Sequence, residues 1–208
     1  MKKGLFITFE GPEGSGKTTH IALLATYLRS KGGRVLVTRE PGGTNLAAGI
    51  RKLLLDGGEG LSPMAELFLY EADRAQHVHE TLLPALRKGT LVLCDRYTDS
   101  TLAYQGFGRG LNRKAINTLN AIAAGGLKPH HTILLDVPVK RGLRQAKRKK
   151  NHHDRLERAG LAFHQRVRDG FLRLAKTENR RFRVIPQQAT IEATQILIRH
   201  AMDSFLKT

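Results

Sequence analysis

Gly11-Pro12-Glu13-Gly14-Ser15-Gly16-Lys17-Thr18 follows the spacing G-x-x-x-x-G-K-T, which suits the holding of phosphate. The glycines let the backbone curl until successive N–H groups converge on phosphate oxygens. A helix starting at Lys17 would turn its positive N-terminal end toward the same anion. Lys17 would reach the β- and γ-phosphates, and the Thr18 hydroxyl would ligate Mg2+. The motif therefore predicts an ATP or GTP site. It does not select the reaction, because ATPases, GTPases and small-molecule kinases all use one.

Three further segments bear on the reaction: Thr38-Arg39-Glu40-Pro41-Gly42-Gly43-Thr44, Tyr70-Glu71-Ala72-Asp73-Arg74-Ala75-Gln76, and Asp95-Arg96-Tyr97 followed by Ser100-Thr101-Leu102-Ala103-Tyr104-Gln105-Gly106. Each lies at the carboxyl end of an expected strand or on a helix facing that edge, where α/β sheets bind ligands. Asp95 ends an apolar strand, the usual place for the acid that holds Mg2+ or its water shell; a helix cap is the alternative. Arg96 has no apolar surroundings to cover and is expected to point at the cleft. Tyr70 and Arg74 are four apart and share a helix face. For Tyr70 and Tyr104, stacking on a ligand competes with ordinary core packing.

The elements that must position these residues are read from periodicity. Short apolar runs at 5–9, 34–38, 90–94, 132–137 and 182–185 suit strands buried on both faces, as in a parallel sheet. Helical patterns lie between them at 17–31, 46–55, 63–88, 113–124, 140–150, 155–176 and 190–206. Ser62-Pro63 starts one helix with a cap and a proline; Gly32-Gly33, Gly89 and Gly125-Gly126 follow helix ends. The alternation predicts an α/β fold of three layers, a five-stranded mainly parallel sheet flanked by helices. No repeat or linker divides the chain, so 1–208 is expected to be one domain.

Composition sets the outer limits. The 208 residues are 40% apolar and 25% charged, enough for a real core. The single Cys94 excludes an internal disulfide framework and a cysteine-based zinc site. The apolar stretch after Lys2-Lys3 is short and runs into Glu10, unlike a signal peptide, so a cytoplasmic location is expected and no membrane partner. The net charge is +17, which asks for an anionic partner. From 139 to 183 sixteen basic side chains face four acidic ones, +12 of that total. His77-x-His79 point to different sides of a helix, and His130-His131 and His152-His153 read as loop residues, so no transition-metal site is expected.

Together the phosphate loop and the three segments resemble the thymidylate kinase family, over nearly the whole chain from Phe6 to about Glu157 and more loosely beyond. The resemblance implies transfer of the γ-phosphoryl group of ATP to dTMP, with Mg2+, by a homodimeric enzyme that makes dTDP. It implies acceptor-phosphate contacts for Arg51 and Arg96, and a hydrogen bond from Glu13 to the deoxyribose 3′-hydroxyl. It implies that Arg74 donates to a thymine carbonyl and that Thr101 and Gln105 meet the pyrimidine edge. Tyr104 would crowd the sugar C2′, and Tyr70 would stack on the base where the family usually has phenylalanine. The segment 144–155 resembles a lid over ATP, with one extra residue and with lysine or glutamine where arginine is expected. Arg148 is the first choice for its catalytic contact, with Arg144 and Lys147 as alternatives. The adenine site would fall near Pro186-Gln187-Gln188-Ala189-Thr190. Two rivals remain: a kinase for another nucleotide or deoxynucleoside on this scaffold, and a nucleic-acid-stimulated ATPase. The second lacks a recognisable nucleic-acid module, and nucleic acid is not an expected partner.

Overall fold

The computed structural model describes residues 4–56, 60–149, 156 and 159–207. The five expected strands form at Phe6–Glu10 (β1), Val35–Arg39 (β2), Leu91–Asp95 (β3), His131–Asp136 (β4) and Phe182–Pro186 (β5). They lie in the order β2-β3-β1-β4-β5 with every neighbouring pair parallel. The strand order reverses at β1, so a crevice opens at its carboxyl end, where the phosphate loop begins.

The helices are α1 (Lys17–Ser30), α2 (Asn45–Asp56), α3 (Pro63–His77), α4 (Leu83–Arg87), α5 (Thr98–Thr101), α6 (Arg113–Ala123), α7 (Val139–Lys149), α8 (Leu161–Thr177) and α9 (Ile191–Lys207). Side-chain alternation along the strands separates two cores. Ile7, Phe9, Leu93, Ile133 and Leu135 pack against α1 and α9 through Ile21, Leu24, Ile198 and Met202. On the other face Phe6, Val92 and Cys94 meet Val78, Leu82 and Tyr97. Beside them Leu134 and Phe182 meet Tyr104, Phe163, Val167 and Phe171. This is the three-layer α/β sandwich that the alternation of elements implied.

Four local readings are corrected. The helix expected over 63–88 is interrupted: α3 passes into a π-helical turn, Val78–Leu82, before α4. Pro84 lacks an N–H and its ring crowds the carbonyl four residues back, so a wider turn relieves the clash. A helical stretch absent from the sequence reading runs through α5 into a second π-helical segment, Leu102–Gly108. The helix expected over 155–176, α8, starts at Leu161, because Gly160 is extended and caps it. His131 is a strand residue and stacks on Phe205 with ring centroids 3.8 Å apart. His152 and His153 lie outside the described residues.

Candidate active site

The phosphate loop takes the shape its glycines permit. Gly11, Gly14 and Gly16 have φ of +143°, +68° and +87°, and Gly16 immediately precedes α1. A Cβ on Gly14 would collide with the Gly142 carbonyl of α7, and one on Gly142 would collide with the Glu13 carbonyl. Loop and helix are therefore pressed together backbone to backbone. Lys17 is buried and folds back on its own loop, donating to Gly11 O (3.0 Å), Pro12 O (3.1 Å) and Ser15 Oγ (3.3 Å). Burial and the positive charge of Arg96 pull its pKa down to about 8, against the acids Asp95, Glu13 and Glu10.

Asp95 falls on the α1 side of the sheet by the alternation of β3. There Thr18 Oγ1 donates to Asp95 Oδ2 at 2.9 Å. A hydroxyl and a carboxylate oxygen on adjoining elements form a hard donor set of the kind Mg2+ accepts.

Arg96 follows β3 with φ +71°, a conformation that side-chain-bearing residues rarely adopt. Its guanidinium donates from Nη1 to Gly11 O (3.3 Å) and Ser100 Oγ (3.1 Å), and from Nη2 to Glu13 Oε1 (2.7 Å) and Tyr104 Oη (2.9 Å). It also lies over the Tyr104 ring, 4.7 Å from the centroid, so it does cover an aromatic face, contrary to the reading from its sequence neighbours. Tyr104 Oη donates to Glu13 Oε1 at 2.8 Å. Burial alone would raise Glu13, but Arg96, Lys17 and the Tyr104 hydrogen bond outweigh it and bring the carboxyl down to about 2. Glu13, Arg96 and Tyr104 thus form a charged triangle against the phosphate loop.

A cleft of about 300 Å3 runs along this loop, walled by Lys17, Thr18, Asp95, Arg96, Arg51 and Tyr70. Glu13, Gly14, Ser15 and Gly16 line it too; Gly11 and Pro12 are buried beneath. Arg51 Nη1 donates to Pro41 O at 2.7 Å, which ties α2 to the glycine loop after β2. An adjoining recess shares Tyr70, Arg96 and Glu40 with the cleft and adds Arg74, Thr101, Tyr104 and Gln105. The recess is narrow, about 30 Å3.

Arg74 is 1% exposed and heavily engaged. Nε donates to Glu40 Oε2 (2.9 Å), Nη1 to Glu71 Oε2 (3.0 Å) and to Asn120 Oδ1, and Nη2 to Thr101 Oγ1 (2.9 Å). Glu40 Oε1 meets His77 Nδ1 at 2.9 Å, and His77 Nε2 meets Thr38 Oγ1 at 2.7 Å. A chain of polar groups therefore runs from β2 through α3 to the recess. Gln105 lines the recess and turns one amide N–H inward, Nε2 donating to Glu66 Oε1 at 2.6 Å.

The structure thus gathers Glu13, Lys17, Thr18, Arg51, Tyr70, Arg74, Asp95, Arg96, Thr101, Tyr104 and Gln105 around two joined cavities. It does not bring Arg144, Lys147 or Arg148 to the cleft wall: all three are exposed on α7, and among the described residues of that helix Ala146 lines the wall. The rest of the 144–155 segment, from 150 on, lies outside the described residues. Near the expected adenine site, Gln187 N donates to Asp136 O (2.9 Å), and Arg141 Nη2 donates to Gln188 O (3.1 Å). Glu40, Asn120, Ser100 and Glu10 were not singled out from sequence. A glutamate directly after an apolar strand pattern was the available signal for Glu10.

Fold and cavities define the class of a phosphate-loop nucleotide kinase. The thymidylate kinase family model matches residues 9–198. A thymidylate kinase from Geobacter sulfurreducens is 55% identical over 197 residues, covering 92% of each chain. One from Deinococcus radiodurans is 53% identical over 185 residues, covering 89% of each. The crystal structure of thymidylate kinase from Ehrlichia chaffeensis superposes with a TM-score of 0.80 at 35% identity, covering 97% of this chain and 99% of that one. The chain belongs to the thymidylate kinase family.

Proposed function

We propose that the enzyme transfers the γ-phosphoryl group of MgATP to the phosphate of dTMP, giving ADP and dTDP. The observation that carries this reading is the Glu13–Arg96–Tyr104 triangle, which joins the phosphate loop to the recess holding Tyr70 and Arg74. A donor site and an acceptor site then share one arginine. The acceptor oxygen is already anionic, so no general base is needed, and catalysis comes from alignment and from cations matched to the moving charge.

Lys17 would exchange its loop carbonyls for the β- and γ-phosphates, an exchange favoured because hydrogen bonds to an anion are about twice as strong as those to neutral acceptors. Thr18 and Asp95 would hold Mg2+, which when bound neutralises phosphate charge. Arg96 and Arg51 would grip the acceptor phosphate. Arg74, Thr101 and Gln105 would read the thymine, Tyr70 would stack on it, and Glu13 and Tyr104 would face the deoxyribose. Arg148, or else Arg144 or Lys147, would close over the transferring group as part of a lid over 144–155. The whole chain would act as one kinase domain in the cytoplasm. A homodimer fits the exposed apolar side chains Leu46, Leu53, Met64 and Phe68 on the neighbouring helices α2 and α3. Among the described residues no helix is long and apolar enough to cross a membrane.

The test is ADP release from MgATP with dTMP, dUMP, dCMP, no acceptor, or DNA. Strong stimulation by dTMP alone is expected. Equal activity with the other monophosphates would remove the thymine-reading roles of Tyr70 and Arg74, and stimulation by DNA alone would overturn the kinase reading.

A further inference from the structure

We infer that Glu10 is a positioning residue for Arg96: from the end of β1 it fixes both the backbone turn and the guanidinium with which Arg96 meets the acceptor. The inference rests on the kinase reading above and adds to it a residue that touches neither substrate.

Glu10 is fully buried and, by the alternation of β1, faces the α5 side of the sheet with Phe6 and Thr8. Its two carboxyl oxygens do different tasks. Oε1 accepts from the Tyr97 backbone N–H at 2.8 Å, and Oε2 accepts from Ser100 Oγ at 2.6 Å. Ser100 Oγ in turn accepts from Arg96 Nη1 at 3.1 Å. One carboxyl group therefore holds Arg96 twice, once through the next peptide and once through the side chain.

The backbone arm matters because Arg96 sits at φ +71°. Only glycine, and less often asparagine or aspartate, takes that conformation readily. The two amides flanking the turn are both anchored to β1: Arg96 N–H donates to Phe9 O at 3.0 Å, and Tyr97 N–H donates to Glu10. Without the carboxyl group the second anchor is lost, and the turn can relax toward an ordinary conformation that swings the guanidinium away from Glu13 and Gly11. The charged and titratable groups facing Glu10 are Asp99 on α5, Arg96 itself, Lys17 and Cys94 on β3. Burial, then the charge of Asp99, push the Glu10 carboxyl up to about 8, so much of it is neutral at pH 7. Glutamine keeps an acceptor for Tyr97 and reverses the Ser100 contact, its amide donating to Ser100 Oγ as the protonated carboxyl would.

The experiment is a double-mutant cycle. Wild type, E10A, E10Q, R96A and E10A/R96A are compared for kcat/KM with dTMP, KM for ATP and thermal unfolding. E10A should lose on the order of a hundredfold in kcat/KM for dTMP, the cost of a misplaced contact, with KM for ATP within about twofold. E10Q should recover most of that loss. In the R96A background, removing Glu10 should add no more than about threefold, because the group it positions is already gone. Full activity of E10A, an equal loss in E10Q, or an undiminished loss on top of R96A would each overturn the inference. If E10A does not fold, Ser100→Ala cuts the side-chain arm alone and enters the same cycle. A wild-type chain that neither binds nor phosphorylates dTMP refutes the acceptor reading before any variant is compared.

Discussion

Arg74 shows how far a residue's role exceeds its motif. A guanidinium has five N–H donors, and four of those of Arg74 already meet Glu40, Glu71, Asn120 and Thr101. One donor is left for a base carbonyl. Its removal would also leave Glu40 and Glu71 as buried acids without their cation. Arg74→Ala is therefore expected to lose about 3–5 kcal/mol of stability in denaturant unfolding as well as acceptor affinity. A variant with unchanged stability would show that the buried network re-forms without the arginine. Glu10 makes a second prediction. Its pKa is raised from 4.5 to about 8, so the folded protein holds a proton that the unfolded chain has released between those values. Stability from this group is thus eroded as pH climbs from about 5 to 8, and it is flat below that range. The Tm difference between wild type and E10Q should shift against the wild type over that interval; a parallel pair of curves would contradict it. At this scale the phosphate loop, Asp95 and Arg96 were legible because their types and spacing carry chemistry by themselves. Glu40, Asn120 and Glu10 were not. Their partners lie far along the chain, as with Arg74 and Asn120, 46 residues apart, and no local pattern announces a buried polar pair.

Among the elements, the phosphate loop and α7 meet backbone to backbone. Gly14 and Gly142 face each other with no room for a Cβ on either. Gly142→Ala keeps a helical residue in a helix, so its cost comes from overpacking, about 1–3 kcal/mol, and from displacing the loop. KM for ATP should rise about tenfold or more while dTMP affinity, measured by calorimetry, changes little; equal losses for both would mean general unfolding. The strands were readable because short β-branched and aliphatic runs set off by glycine or proline suit a sheet; β1, β3 and β4 are buried as expected, whereas β2 and β5 lie at the edges and are partly exposed. The missed helical stretch after β3 has the opposite character. Thr98, Thr101, Gly106 and Gly108 are poor helix formers, and packing overrides them: Gly108 lies against Phe163 and Val167, and Tyr104 packs edge-on to Phe163 and Phe171. Tertiary contacts with α8 hold a segment that its own propensities would release.

For the molecule as a whole, charge and sheet geometry set the approach of the substrates. Of the net charge of +17, α7 carries +6 and lends Ala146 to the wall of the phosphate cleft, and both proposed substrates are anions. Long-range attraction of this kind fades with added salt. The value of kcat/KM for dTMP should fall by about tenfold between low and high ionic strength, with kcat nearly constant; no salt dependence would reduce the basic surface to a solubilising coat. The sheet adds a constraint of another sort. Alternation puts Asp95 and Thr18 on the α1 side and Glu10, Ser100 and Tyr104 on the other, so donor and acceptor chemistry occupy opposite faces and touch only at the carboxyl edge. On the proposed reading the two nucleotides would meet at that edge from opposite sides of the sheet. A single molecule filling both the cleft and the adjoining recess would profit from the short span between them, its second half binding as if at very high concentration.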